Sequence, residues 1–154
     1  MLRDYLQKRR DDKELGRGLW RQGHDRFVRG LDRFHQVLEQ LAARKDPAPY
    51  LDYANRLADL LPRVRQLSVR AQQLAPSQGL DIPFSSDGSY ARLNRLLSTA
   101  GKDLAACAQV LAMIRYAPAG QEENLRQRLG QQVEDLETRL GQAEILLQTL
   151  PREE

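Results

Sequence analysis

The sequence predicts an all-α protein, an antiparallel four-helix bundle of two helical hairpins joined by a long loop. Three observations carry this. Apolar residues recur at steps of three and four in four separate segments, the spacing that keeps side chains on one stripe of a helix. No segment of useful length alternates with the period of two that marks a half-buried strand. Residues that start and stop helices fall where the stripes begin and end.

The first helix is expected over residues 17–44, on the stripe Trp20, His24, Phe27, Leu31, Phe34, Leu38, Leu41. Asp46 and Pro47 then read as N-cap and first helical residue. They open a second helix over 47–75, striped by Tyr50, Ala54, Leu57, Leu61, Val64, Leu67 or Ser68, Ala71 and Leu74. Pro62 lies inside it and removes one backbone hydrogen bond. The stripe runs through it, so a kink is expected, not two helices. Ser85–Ser89 supplies the cap for a third helix, 89–116, on Tyr90, Leu93, Leu97, Ala100, Leu104, Cys107, Leu111 and Ile114. Ala117–Gly120 breaks the chain, and Glu122 and Glu123 suit the positive end of a fourth helix dipole over 121–150. Leu125 leads into its stripe of Leu129, Val133, Leu136, Leu140, Ala143, Leu147 and Leu150, and Pro151 is expected to end it. Short links between the first and second helices, and between the third and fourth, predict two antiparallel hairpins. Four long helices striped this way are expected to pack as a bundle.

Residues 1–154 read as one domain. Residues 1–16, rich in Arg and Asp, either extend the first helix past the bundle or stay loose. In the loop 76–88, Leu80, Ile82 and Phe84 alternate and are expected to lie as a strip over the bundle.

Composition sets the outer limits. The chain has 154 residues, 41% apolar and 29% charged. These values exclude collagen, a disulfide scaffold and an intrinsically disordered chain. The longest apolar stretch, Leu104–Ile114, is far short of the roughly 20 residues of a membrane span. Cys107 is the single cysteine, so no internal disulfide forms. Met1–Arg10 holds no apolar run resembling a cleavable signal. A cytoplasmic protein is expected.

The residues offer no catalytic constellation, and a non-enzymatic protein without cofactor is expected. Di-metal bundles need Glu from two helices and Glu-x-x-His from two others. Here both histidines, His24 and His35, fall on the first helix. Asp32 with His35 reads as a surface pair, and His24 on the apolar stripe as a satisfied histidine. Cys107, between Leu104 and Leu111, reads as a small buried hydrophobe. Asp11–Asp12, Glu122–Glu123 and Glu134–Asp135 read as solvated charge. No phosphate-binding glycine loop or nucleophile elbow is present.

Binding surfaces remain. Around Cys107 the third helix is apolar on most sides, which predicts burial on most sides. Ala105, Ala108 and Ala112 are expected to face a second chain. Gly16, Gly23 and Gly30 are seven apart and are expected to form a bare stripe on the first helix that admits a close neighbour. A homodimer, or another protein partner, follows. The alternative is an anionic partner, nucleic acid or an acidic surface, held by Arg17, Arg21, Arg26, Arg29 and Arg33. Residues 1–115 carry 20 basic and 13 acidic side chains, residues 116–154 carry 4 and 8. The preferred reading is that the basic front and the acidic last helix lie side by side and neutralise.

Overall fold

The computed structural model describes residues 1–150. They form five helices and no strand: α1 (Leu2–Leu15), α2 (Leu19–Ala42), α3 (Ala48–Leu74), α4 (Ser89–Tyr116) and α5 (Ala119–Thr149). Pro151, expected to end the last helix, lies outside the described residues.

The four longer helices share one core. α4 lies against α5 and α2, α2 against α3, and α3 against α5. The stripes meet as their spacing requires. Trp20, Phe27, Phe34, Tyr50, Leu57, Leu93, Leu104, Leu111, Ile114, Leu129, Val133 and Leu136 are all buried in one cluster. In α3 the inward residue is Leu60, with Leu61 only partly buried. α3 is helical through Pro62, which sits on the exposed side and lacks the N–H that would bond the carbonyl four residues back.

The first expected helix is corrected. Two helices occupy that stretch, broken at Gly16–Gly18. Gly16 ends α1 with φ +73°, a left-handed conformation that glycine adopts without a Cβ clash. Gly18 opens α2 so close to Ser77 that a Cβ would overlap that residue's backbone. Gly16 is therefore a helix stop and no member of a glycine stripe. Residues 1–16 are neither loose nor continuous with α2. α1 is held to α3 by Arg65, whose guanidinium nitrogens lie 2.8 Å from Asp11 and 2.8 Å from Glu14. Leu15 is buried at its end, while residues 1–10 are exposed.

The ends of the helices are tied by polar contacts. The Trp20 indole N–H donates to the Ala75 carbonyl at 2.8 Å, and the Leu19 N–H to Ser77 Oγ at 3.0 Å. At the opposite end Lys45 Nζ donates to the carbonyls of Ile114 and Ala117 at 2.7 and 2.8 Å. It thus closes the carbonyl end of α4 with a cation. Buried Tyr50 donates to Glu122 at 2.6 Å, joining the first turns of α3 and α5. Between α3 and α5, Arg56 pairs with Glu137 and Arg63 with Glu144. The basic front and the acidic last helix do lie together there.

The loop strip is also corrected. Leu80, Ile82 and Phe84 are 68%, 48% and 88% exposed. They are turned largely to solvent and form no buried strip over the bundle; the loop's inward residue is Ser77.

Candidate functional site

The residues that the sequence singles out on α2 and α4 converge on one groove. Its volume is about 700 Å³, and it is lined by Arg26, Arg29, Gly30 and Arg33 from α2, with Gly101, Lys102, Ala105, Ala108, Gln109 and Ala112 from α4. The floor is made of glycine and alanine. The rim is made of cations.

The local sequence explains the floor. Gly23 and Gly30 turn toward α4. A Cβ on Gly23 would stand 3.8 Å from Leu97, and one on Gly30 only 2.9 Å from Leu104. The close approach these glycines permit is to α4 of the same chain. Gly101 does the reciprocal service on α4, since a Cβ there would lie 3.0 Å from Arg26 Cδ. Arg26 crosses this gap and donates to Ser98 Oγ at 3.2 Å. Ala108 is 4% exposed, so it forms the bottom of the groove; Ala105 is open and Ala112 half-buried. Met113 and Tyr116 continue the α4 surface and are 44% and 62% exposed.

The five arginines of the basic face divide into two sets. Arg17 and Arg21 are neutralised by Asp12, at 3.1 and 3.0 Å, and Arg21 also by Asp25 at 2.9 Å. The Arg21 guanidinium in turn holds the Asp12 carboxyl below the usual carboxylate range. Arg26, Arg29 and Arg33 have no carboxylate within 4.0 Å among the described residues, nor does Lys102 across the groove. Of the acids near in sequence, Asp25 is taken by Arg21 and His24 and Asp103 by Arg139, while exposed Asp32 stays more than 4.0 Å from every cation among the described residues. The result is four uncompensated cations around an apolar floor. Gly101 and Lys102 were not marked by sequence reasoning. A glycine inside an apolar helix, at about 1 kcal/mol against alanine, was the signal that something crosses there.

The remaining candidates are structural. His24 is 5% exposed, and its Nδ1 lies 3.0 Å from Asp25 Oδ1. Cys107 is fully buried, and burial pushes its thiol up to about 12, which leaves no thiolate near neutral pH. Among the described residues no cluster of three metal-ligating side chains occurs, and no helix is long and apolar enough to cross a membrane. The chain matches no family model, no curated protein and no solved structure.

Proposed function

We propose that this protein is a cytoplasmic, non-enzymatic interaction module that self-associates, and that the α2–α4 groove is its contact surface. The carrying observation is the pairing of an apolar Gly/Ala floor with four cations that no carboxylate among the described residues claims. The fold that goes with this reading is a four-helix bundle, with α2, α3, α5 and α4 following one another around the core and Pro62 bending α3. α1 is an accessory helix strapped to α3.

Charge decides the geometry of association. Groove against groove would bring eight cations together, and like charges face to face cost several kcal/mol. The occupant must therefore be a different part of the second copy, with apolar side chains and carboxylates. The small floor suits this, because the open Ala105 and half-buried Ala112 leave room for an incoming side chain. Displacing water from them yields about 25 cal/mol per Å², before association costs.

A second reading keeps the same cations and exchanges the partner for nucleic acid, whose phosphates would pair with Arg26, Arg29, Arg33 and Lys102. Native mass spectrometry on protein purified without nuclease separates the two. The expected result is a bare dimer that Ala105→Glu and Arg29→Glu/Arg33→Glu convert to monomer. These positions are exposed, so the variants test the groove without loading the core. A bare monomer, or a dimer indifferent to both variants, overturns the proposal. Bound oligonucleotide mass replaces it with the second reading.

A further inference from the structure

Resting on the groove as a self-association surface, we propose that its occupant is the loop strip Leu80–Ile82–Phe84 of a second copy. Asp81 alternates with them and so lies on the strip's outer side, within reach of the long cationic side chains of the groove rim. With a twofold axis the exchange is reciprocal: each copy gives one strip and receives one.

Three observations carry this. First, the strip has what the groove lacks. Leu80, Ile82 and Phe84 are the largest exposed apolar group outside the helices, at 68%, 48% and 88% exposure. An exposed apolar cluster of this kind marks a contact surface. Second, the charges are complementary. Between Arg70 and Arg92 the chain has no Lys or Arg, and it carries Asp81 and Asp87. Among the described residues no cation lies within 4.0 Å of Asp81. The acidic face of α5 is a poorer candidate: Glu134 and Asp135 are exposed there, but the one large exposed apolar side chain is Ile145.

Third, the strip cannot reach its own groove. One end is fixed where Ser77 accepts from Leu19 and donates to the Gly79 carbonyl at 2.9 Å. The other is fixed where Ser85 Oγ accepts from the Tyr90 N–H at 3.2 Å and Asp87 caps Ser89. Five residues tied at both ends reach out by about 10 Å, at roughly 3.4 Å per residue. Gly101, where the groove begins, is twelve residues beyond Ser89, about 18 Å along the helix, and Ala112 is about 35 Å along. Only another copy can supply the strip.

The test is complementation, read by sedimentation velocity over a range of protein concentrations. Ile82→Ser/Phe84→Ser loses the strip and keeps the groove. Arg29→Glu/Arg33→Glu keeps the strip and loses the groove. Each alone is expected to be monomeric, with the helical circular dichroism of the unaltered chain. Mixed one to one, they are expected to form a heterodimer with one intact contact, at least tenfold weaker than the native dimer. A dimer that survives loss of the strip but not of the groove overturns this inference and leaves the groove reading standing. So does a mixture that stays monomeric while the native chain dimerises. A native chain that stays monomeric throughout overturns both.

Discussion

Gly23 and Gly30 look alike in the sequence, and the structure assigns them opposite responses to alanine. Both lie inside α2, and both turn toward α4. Alanine is favoured over glycine in a helix interior by about 1 kcal/mol. At Gly23 the new methyl would stand 3.8 Å from Leu97, an ordinary contact, so the gain is kept. At a chain length near 150 residues this raises Tm by about 2–4 °C. At Gly30 the methyl would stand 2.9 Å from Leu104 Cδ2 and 3.0 Å from its Cγ. Leu104 is fully buried, so it has to shift within the core to admit the methyl. Overpacking of this kind costs about 1–3 kcal/mol. Set against the propensity gain, Gly30→Ala should be destabilising by up to about 2 kcal/mol. Thermal unfolding of both variants at one protein concentration reads the difference, because association shifts Tm by mass action. Leu104→Ala supplies the cross-check. It removes the obstacle, so the Gly30→Ala penalty should vanish in that background, a coupling of the size seen between touching residues. Gly30→Ala raising Tm as Gly23→Ala does, or strict additivity with Leu104→Ala, would refute the close approach of α2 and α4.

Three further outcomes follow from the same geometry. Cys107, buried and with its thiol pushed up to about 12, should resist Ellman's reagent in the folded protein and react fully in denaturant; rapid native labelling would contradict its place in the core. The Tyr50 hydroxyl, and then the Lys45 ammonium, hold Glu122 below the usual carboxylate range. A carboxyl depressed on folding stabilises above its ordinary value of 4.5, and that contribution is lost as pH falls through the lower folded value. Urea unfolding should therefore weaken with acid below about pH 4.5 less in Glu122→Gln than in the native chain; equal slopes would remove the contribution. Arg65→Ala should free α1, seen as faster tryptic cleavage at Lys8–Arg10 and faster amide exchange in α1. The core transition should move by no more than about 1 kcal/mol, since these ion pairs are partly exposed. Cleavage at the native rate would mean that buried Leu15 alone holds the helix.

The helices were legible because their inward residues repeat. Every residue of the α2 stripe from Trp20 to Leu41 and every one of the α4 stripe from Tyr90 to Ile114 is buried. Burial of one face is the constraint that spacing records most directly. The α1–α2 break was missed for a definite reason. Gly16, Gly23 and Gly30 share a spacing, and spacing does not distinguish a glycine that stops a helix from one that admits a neighbour. The distinguishing fact is tertiary. Gly18 must let Ser77 come close, and Ser77 is nearly sixty residues away in sequence. The loop failed by a similar route. Leu80, Ile82 and Phe84 alternate as a covering strip would, but alternation states that one side is apolar and says nothing of which chain it covers.

The groove shows where such reading stops and pairing begins. From sequence, the alanines of α4 argued for a protein partner and the arginines of α2 for an anionic one, and the two stood as rivals. They are rivals only while the helices are considered apart. Once α2 lies on α4, Ala105 and Ala108 share a groove with Arg26, Arg29 and Arg33, and the proposed occupant has to satisfy both. The remaining arginines leave the argument for a reason equally invisible in the linear chain: Asp12 arrives from α1 and neutralises Arg17 and Arg21. What distinguishes an unpaired cation from a paired one here is therefore the position of the acids. An occupant that is apolar and anionic at once is a narrower demand than either sequence reading made. Bare phosphate meets half of it and a plain hydrophobic face the other half, while a short acidic strip bearing Leu, Ile and Phe meets both.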